Sequence, residues 1–446
     1  MNTFTIKFYQ GNRNRIIVPY RHLSQFQMIE DIQYGPIHSP VEILVHDKDP
    51  STLYVSSRLK AVLNLHKSSP ITIKLEKNRC SILLTMGVFT AGFEESRQQP
   101  LGERTPIFEQ LSIAGETLGF QALFFGHQHI DKEKRMLNGY YYRNNQWENG
   151  WFTFPNVIYD RIPNRKIEHH PDIVNTKSIL QNQSVFFNHG FFNKWEIYQS
   201  LIKDQACSFL VPETILHPSK QKIETMLAKY NIYIKPIHGS RGNGITKCRL
   251  LSSGEIECHY YLQDKPQVNR YEKTEAFFQQ HFPNGLQGYV AQQEISLIKK
   301  GKSPIDFRLH VNKNHRNSWE VTLICAKFAG KGSLTTHVKR GGKVLLLKEL
   351  FTEDQAEKIS KRLNAMALLV STSVEKGFQS PIGEVGIDFG MDTEGRVWLF
   401  EVNSKPGFSV FNHPELYQQS PHVLSYPFRY GFYLNNLRNI PAARNK

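Results

Sequence analysis

Residues 386–403 read GIDFGMDTEGRVWLFEVN, and this stretch is the strongest indication of fold in the chain. Two runs of β-favouring residues flank the polar turn Asp392-Thr-Glu-Gly395, which is typical of a β-hairpin. Asp388 lies on the first predicted strand, and Glu401 and Asn403 lie two residues apart on one face of the second. Carboxylates among apolar neighbours are costly without a cation, and oxygen ligands suit Mg²⁺. The hairpin therefore predicts a magnesium site at Asp388, Glu401 and Asn403.

A second polar pair precedes this hairpin in the chain. Asp306-Phe-Arg308 begins a predicted strand, whose alternation places Asp306 and Arg308 on one face and Phe307 on the other. On that face Asp306 can restrain or polarise an Arg308 side chain that points into a site. The alternative is an ordinary ion pair at the surface.

Two further segments are compatible with nucleotide binding, although each is weak alone. A predicted strand that contains Lys235 precedes the glycine-rich run His238-Gly-Ser-Arg-Gly-Asn-Gly244, which can bring an ammonium group and backbone N–H groups to a polyphosphate. Tyr289-Val-Ala-Gln-Gln-Glu-Ile295 can present backbone groups to a purine edge. In isolation, the first segment is more simply a flexible hairpin turn and the second an ordinary strand. The glycines match neither a P-loop nor a Rossmann fingerprint.

The domain organisation follows from length and from changes in pattern. A chain of 446 residues is longer than one core usually serves, which favours two or three domains. Residues 1–80 are predicted to form a β-rich domain, because short β-favouring runs alternate with turn residues. Residues 81–187 alternate between predicted strands and a helix, as in a small α/β domain. Residues 188–440 form the third unit, in which a helix begins at Thr352 with Gln355 in capping-box spacing.

Composition bounds the partners and the compartment. Lys and Arg total 55 against 40 Asp and Glu, and the resulting charge of +15 favours anionic partners. The basic residues are scattered, which argues against a dedicated nucleic-acid arm. The five cysteines lack metal-ligand spacing and are expected to be reduced thiols. No signal-peptide pattern and no run of about eighteen apolar residues occurs, so the sequence predicts a soluble, cytoplasmic protein without membrane insertion.

Taken in order, these segments resemble the ATP-grasp superfamily, in the ligase-like form of enzymes that add glutamate to a ribosomal protein. The resemblance covers about residues 190–412. The whole chain is more similar still to the YheC/YheD family of endospore coat-associated proteins. Phe154-Pro-Asn-Val-Ile-Tyr-Asp-Arg-Ile162 is similar to that family's Pro-Asp-Val-Ile-Tyr-Asn-Arg pattern, and Asn193-Lys-Trp195 and Gly341-Gly342 match it as well.

The resemblance implies a multidomain protein of mixed α+β and α/β class. An ATP-grasp fold would follow a small pre-ATP-grasp α/β domain and the β-rich N-terminal domain. It also implies ATP and Mg²⁺ as ligands, with Arg308 beside the transferring phosphate and with Asp388, Glu401 and Asn403 on the metal. The implied nucleotide contacts are Lys194, Lys235, Gly239, Ser240, Gly242, Gly244, Gln293, Glu294 and Ile295.

One segment departs from the ligase pattern. Ligase relatives carry Arg-Ser-Asn-x-His-Arg-Gly-Gly where this chain has Thr335-Thr-His-Val-Lys-Arg-Gly-Gly342. Thr335 therefore replaces an arginine that would stabilise an oxyanion, and His337 replaces an asparagine. Lys327 and His337 are the candidate substitutes for that charge.

The sequence leaves two functions open. The first is an ATP-dependent ligase that joins an unidentified carboxylate to an amine, or to a thiol, through an acyl phosphate. The second is a non-catalytic endospore coat-associated protein on an ATP-grasp scaffold, located in the mother-cell cytoplasm or the spore coat and partnered by coat proteins. Polyanion binding driven by the net charge alone is disfavoured, because the charge is scattered.

Overall fold

The computed structural model describes residues 2–65, 70–237, 244–263, 265–301, 303–328 and 343–439. Within these ranges the chain forms three sheets, one of 14 strands from the first half and two of six strands from the second half. Helices cover the sheets, so the structure agrees with the predicted mixed α and β class.

The first sheet is built by the chain up to residue 187. Its strands are β1 (Asn2–Tyr9), β2 (Arg15–Pro19), β3 (Asp31–Tyr34), β4 (Ile37–Pro40), β5 (Glu42–His46), β6 (Thr52–Ser56), β7 (Pro70–Glu76), β8 (Arg79–Phe89), β9 (Phe120–Phe125), β10 (Ile130–Asp131), β11 (Met136–Arg143), β12 (Gln146–Thr153), β13 (Val157–Asp160) and β14 (Val185–Phe187). The accompanying helices are α1 (Leu23–Phe26), α2 (Ser57–Leu63), α3 (Thr105–Glu116), α4 (Arg165–Glu168) and α5 (Pro171–Gln181).

Strand β8 connects the two parts of this sheet. It pairs antiparallel with β7 on one side and parallel with β9 and β13 further along its length. β13 is buried along its whole length, as expected for a parallel strand that is covered on both faces. The boundary predicted between residues 80 and 81 falls inside β8, and the division into three domains stays a prediction.

The second half of the chain forms the other two sheets. The second sheet has the order β15 (Thr214–Leu216), β20 (Tyr289–Gln293), β16 (Ile232–Pro236), β17 (Thr246–Leu250), β18 (Ile256–Leu262) and β19 (Lys265–Tyr271). The third sheet has the order β24 (Lys343–Leu345), β23 (Trp319–Phe328), β22 (Ser303–Lys313), β25 (Glu384–Met391) and β26 (Val397–Asn403), with β21 (Lys299–Lys300) paired to β22. Their helices are α6 (Lys194–Lys203), α7 (Lys220–Leu227), α8 (Thr274–His281), α9 (Leu347–Leu350), α10 (Glu353–Lys376) and α11 (Pro414–Asn439).

The predicted alternation along β22 and the predicted start of α10 are both confirmed. Phe307 and Leu309 are buried in one hydrophobic cluster with Leu363 of α10, which leaves Asp306 and Arg308 on the opposite face. Thr352 and Gln355 form the capping box, because each side chain accepts a hydrogen bond from the backbone N–H of the other.

The hairpin of β25 and β26 is confirmed, and it contains a β-bulge. Asp388 lies opposite Glu401, but the next residue, Phe389, lies opposite Leu399, so β26 holds one extra residue. In the turn, the Oδ1 atom of Asp392 accepts hydrogen bonds from two backbone N–H groups. The bulge places the backbone positions of Asp388 and Glu401, two residues of the predicted metal site, directly opposite each other.

The C-terminal helix α11 connects the two halves of the chain, because it packs against both α3 and β22. Near that contact, Asn188 follows β14 and accepts hydrogen bonds from the backbone N–H groups of Gly383 (2.8 Å) and Glu384 (3.2 Å). None of the helices in the described ranges combines the length and the apolar character that crossing a bilayer requires.

Replacing Gly383 by alanine is expected to destabilise this junction. The added Cβ would lie 2.4 Å from Cδ1 of Tyr430 and 2.8 Å from Cδ2 of Phe187, and both rings are buried. Overpacking of this kind costs roughly 1–3 kcal/mol, which chemical unfolding would measure. The matched control is Gly150→Ala, whose Cβ would meet its nearest neighbour at 3.6 Å. Equal stabilities of the two variants would contradict the close packing.

Candidate functional site

A cleft of about 720 Å³ lies where strands of the second and third sheets face each other. β16, β17 and β20 line one side, and β22 and β26 contribute to the other. Its lining is Asn231, Tyr233, Lys235, Ile245, Lys247, Gln292, Gln293, Glu294, Ile295, Ser296, Leu297, Lys299, Pro304, Asp306, Thr393 and Phe400.

Neighbouring strands of the third sheet bring four charged groups together beside this cleft. The Nζ atom of Lys327 lies 2.6 Å from Oδ1 of Asp388 and 3.8 Å from Oδ1 of Asp306. The Nε atom of Arg308 lies 3.3 Å from the same oxygen of Asp388. Register explains the cluster, since Arg308 of β22 pairs directly with Asp388 of β25, and Asp306 pairs with Lys327 of β23.

Mutual attraction keeps this cluster charged in spite of its burial. Burial would raise the pKa of the Asp388 carboxyl, but the charges of Arg308 and Lys327 hold it below its ordinary value. Burial would lower the pKa of Lys327, but Asp388 and Asp306 raise it above its ordinary value. Both groups are therefore ionised at neutral pH.

Arg308 has an unsatisfied donor. Its Nη1 atom is buried and has no hydrogen-bond acceptor among the residues that the structure describes. The space for it depends on Gly386, because a Cβ there would lie 2.7 Å from both Nη1 of Arg308 and Cβ of Pro406. A buried guanidinium N–H without an acceptor costs free energy, and an anionic ligand would satisfy it.

Two lysines lie near the edge of the cluster. The Nζ atom of Lys194, in the first turn of α6, lies 3.4 Å from Oε1 of Glu401. The Nζ atom of Lys235, on β16, donates a hydrogen bond of 2.6 Å to Oε1 of Gln292. Burial, together with the positive charge of Lys194, lowers the pKa of Lys235 to about 8, although Glu401 opposes the shift. Lys235 is therefore a cation that loses its charge unusually easily.

The segment predicted to face a purine lies in the cleft. Gln293, Glu294 and Ile295 all contribute to its lining. The carboxylate of Glu294 accepts a hydrogen bond from Nζ of Lys247, and that ammonium lies 5.8 Å from the ring centroid of Tyr233. These contacts orient the polar groups at this end of the cleft.

Part of the predicted nucleotide set lies outside the described residues. Gly244 is described, and its φ of +72° is a conformation that L side chains rarely adopt. The predicted residues outside the described ranges are Gly239, Ser240, Gly242, Thr335, His337, Gly341 and Gly342.

The predicted magnesium ligands occupy paired positions. Asp388 lies opposite Glu401, and Asn403 lies opposite Gly386 two residues further along β26. Three oxygen-bearing side chains on one hairpin fit the preference of Mg²⁺ for hard ligands. In the described part of the chain, no group of three or more His, Cys, Asp and Glu side chains could hold a metal ion, so ligand oxygens and Asn403 would have to complete the coordination.

Sequence reasoning missed two polar residues of the cleft. Oε1 of Gln292 accepts a hydrogen bond from Lys235, but the predicted nucleotide contacts of this segment started at Gln293. Lys247 lies directly opposite Tyr233 in the pairing of β17 with β16. An alternation count along Tyr289–Ile295 would have placed Gln292 and Glu294 on the same face, whereas nothing local to Lys247 indicates its partner.

Comparison with known proteins identifies related sequences. A family model described as YheC/D like ATP-grasp matches residues 183–434. Endospore coat-associated protein YheD of Bacillus subtilis (strain 168) is 36% identical over 392 residues, which cover 86% of each chain. Endospore coat-associated protein YheC of the same organism is 25% identical over 275 residues, covering 60% of this chain and 75% of its own.

A solved structure is also similar. D-alanyl-alanine synthetase A from Vibrio cholerae O1 biovar eltor str. N16961 shares 13% identity and has a TM-score of 0.46. The match covers 80% of this chain and 99% of that one.

The substitution Asp388→Asn is expected to destabilise the protein more than Glu401→Gln. It would leave the buried Arg308 without its carboxylate and Lys327 with only the more distant Asp306, a loss of roughly 3 kcal/mol for buried pairs. The pair of Glu401 with Lys194 is about one-third exposed (34% and 31%), so its loss is expected to cost under about 1 kcal/mol. Urea unfolding of both variants would measure the difference, and similar losses would contradict the role assigned to Asp388.

Proposed function

We propose that this chain, which belongs to the YheC/D-like ATP-grasp family, binds ATP with magnesium and joins a carboxylate to an amine through an acyl phosphate. The observation that carries the proposal is the buried Nη1 atom of Arg308, which has no acceptor among the described residues. It lies in a charged cluster beside a cleft large enough for a nucleotide.

The residues of the cleft suggest how a nucleotide would lie. Gln293, Glu294 and Ile295 would line the adenine, and Leu297 and Phe400 supply apolar surface in the same cleft. The phosphates would extend towards the basic groups of Lys194, Lys235, Arg308 and Lys327. Several fixed positive charges suit a polyphosphate, because they replace the water that solvates its negative charges in solution.

Asp388, Glu401 and Asn403 would hold the magnesium ion. When bound there, the ion would offset negative charge on the phosphate oxygens. Lys194 and Lys327 now neutralise the two carboxylates, and both lysines would turn towards phosphate oxygens in the complex.

The proposed reaction conserves atoms and charge. A carboxylate oxygen attacks the γ-phosphorus, the bond from that phosphorus to the β-bridging oxygen breaks, and ADP leaves. The amine nitrogen then attacks the acyl carbon, and inorganic phosphate leaves with the former carboxylate oxygen. Of the two protons that the ammonium substrate loses, one remains on phosphate and one goes to water. Arg308 would stabilise the transferring phosphoryl group, and Lys327 would hold the same oxygens.

A second candidate function is a non-catalytic role in the endospore coat. The observation that favours it is the description of both relatives, YheD and YheC, as endospore coat-associated. Thr335 and His337, which replace residues of the ligase pattern, also favour it. This alternative predicts no turnover of ATP, whether or not ATP binds.

Mg·ATP is expected to stabilise the purified protein. At about 100 times its dissociation constant, a ligand that binds only the folded state adds about 2.7 kcal/mol, which a thermal-shift measurement detects. Lys235→Met is expected to lose most of this shift, because a phosphate contact is removed. The control Lys361→Met removes a lysine that is 76% exposed on α10 and is expected to keep it.

Turnover separates the two candidate functions. Mg·ATP with a panel of acidic peptides and amines is expected to yield ADP and phosphate, and Glu401→Gln is expected to abolish that release. Binding of ATP without release of ADP would favour the coat role. Absence of any shift with Mg·ATP would contradict the ligase function and leave the coat role.

Affinity for Mg·ATP is expected to fall as the pH rises through about 8. The depressed pKa of Lys235, about 8, means that the free site loses a positive charge above this pH. If phosphate contact keeps the lysine charged in the complex, linkage predicts a loss of up to about tenfold per pH unit above 8. Titrations from pH 7 to 9.5 would measure it.

The matched control is Lys235→Arg, which stays charged throughout this range and should show a flat profile. By the same linkage, the stability of the free protein should rise from about pH 8 towards the lysine's ordinary value near 10.4, because the folded state disfavours the charged form. A wild-type affinity profile as flat as that of the arginine variant would contradict this role of Lys235.

A further inference from the structure

A second cavity, of about 710 Å³, lies between the two halves of the chain. It is bounded by the first half of α3, the loop after β13, residues 405–412 after β26, and the first turn of α11. None of its lining residues belongs to the lining of the nucleotide cleft. It is therefore a separate space, large enough for a small molecule or a short peptide.

Three basic side chains line this cavity, and two of them are already neutralised. Nη1 of Arg161 donates a 2.8 Å hydrogen bond to Oε1 of Glu384. Nζ of Lys405 lies 2.6 Å from Asp160 and 2.8 Å from Glu168, and Lys177 pairs with the same two carboxylates. In that buried group, two lysines balance two carboxylates.

Arg104 is the third basic residue, and it has no carboxylate partner. Nη1 of Arg104 donates to the hydroxyl of Thr90 at 2.9 Å, and Nη2 donates to the carbonyl oxygen of Ala91. No carboxylate oxygen among the described residues lies within ion-pair distance of it. Burial lowers the pKa of Arg104, and the nearby positive charge of Arg161 lowers it further.

The remaining walls limit the charge of a ligand. Two glutamates line the α3 side: Glu103 is exposed to water, and Oε1 of Glu109 accepts a 2.9 Å hydrogen bond from Trp147. They disfavour a ligand with several negative charges. The apolar part of the lining comes chiefly from Pro106, Ile107, Phe108, Ile113, Phe408, Phe411 and Tyr417. One unbalanced cation within such walls matches a single carboxylate on an apolar or aromatic body.

This cavity adjoins the charged cluster at Arg308. Lys405 and Gly407 line the cavity on either side of Pro406, and Pro406 packs against Gly386 from one side while Arg308 packs from another. The carbonyl oxygen of Pro406 accepts a 3.0 Å hydrogen bond from Arg161. Residues on both sides of Pro406 thus line the cavity, while Pro406 itself lies against the same glycine as the guanidinium of Arg308.

We propose that this cavity binds a monocarboxylate carried by an aromatic or apolar group. This ligand class rests on the cavity itself and goes beyond the proposed function. Arg104 anchors the carboxylate, and the rings of Phe408, Phe411 and Tyr417 contact the apolar body. A nucleotide fits less well, because only one cation of the lining is unbalanced.

Binding of three small probes to the full-length protein tests the ligand class. N-acetylphenylalanine is expected to bind, measured by ligand-observed NMR titration. Its neutral carboxamide lacks the charge, and N-acetylglycine lacks the ring, so each is expected to bind at least about tenfold more weakly. Equal affinity for the acid and the amide, or no binding of the acid, would overturn the proposal.

Two variants test the location. Arg104→Gln is expected to weaken binding of N-acetylphenylalanine about tenfold or more, whereas Arg104→Lys keeps the charge and most of the affinity. Gly407→Trp is expected to fill the cavity mouth and abolish binding. Gly407 tolerates a side chain, because its φ is −74° and nothing lies within 4 Å of an added Cβ.

Matched controls place the same changes elsewhere, at exposed residues. Arg316→Gln removes a surface guanidinium, and Ser253→Trp adds a surface indole. Both are expected to bind N-acetylphenylalanine as the wild type does. If Gly407→Trp also binds it unchanged, the cavity is not the site and the proposal is overturned.

A parallel thermal shift with Mg·ATP separates this inference from the proposed function. Loss of the probe with the nucleotide shift retained assigns the defect to the cavity. A wild type that binds the probe but shows no shift with Mg·ATP supports the ligand class and contradicts the proposed ligase function. A wild type that shows the shift with Mg·ATP but does not bind the probe overturns the ligand class and leaves the proposed function standing.

Discussion

The buried ion pair between Arg161 and Glu384 holds the two halves of this protein in one arrangement. It joins the end of β13 to the start of β25, and the hydroxyl of Tyr159 donates to the same oxygen of Glu384 at 2.5 Å. Removing both charges from water is costly, so the pair persists only where hydrogen bonds and geometry compensate. Asp388 lies four residues further along β25. The position of the charged cluster relative to the first sheet thus depends on this contact.

Charge balance governs the cluster itself. Together with Lys194, Lys235 and Glu401 at its edge, the cluster has four basic side chains and three carboxylates, and ion pairs hold Lys327, Arg308 and Lys194 in place. Such an arrangement is preorganised, because the cations do not have to be gathered from solvent when an anion arrives. The excess of positive charge is small, which limits the repulsion among these basic side chains. The unsatisfied N–H of Arg308 is the part of the cluster that favours binding of an anion.

Local pattern predicted the parts of this site that lie close together in sequence. The hairpin with Asp388 and Glu401, and the shared face of Asp306 and Arg308, follow from alternation and turn chemistry, which act over a few residues. The contact of Arg161 with Glu384 joins residues 223 positions apart, and that of Lys405 with Asp160 joins residues 245 apart. Nothing local to these residues distinguishes them from surface charges. The bulge after Asp388 could not be predicted from the sequence either, because an alternation count assumes regular pairing of the strands.

The segment from Glu401 to Gly407 explains why the cleft and the second cavity are neighbours. Its first residue pairs with Lys194 at the phosphate end of the cleft, and its last residues line the cavity. Pro406, between them, packs closely against the third sheet because Gly386 has no Cβ. Pro406 therefore lies against the same glycine as the guanidinium of Arg308, while its chain neighbours Lys405 and Gly407 line the second cavity. The seven residues of this segment therefore connect the ion pair of Glu401 with Lys194 to the wall of the second cavity.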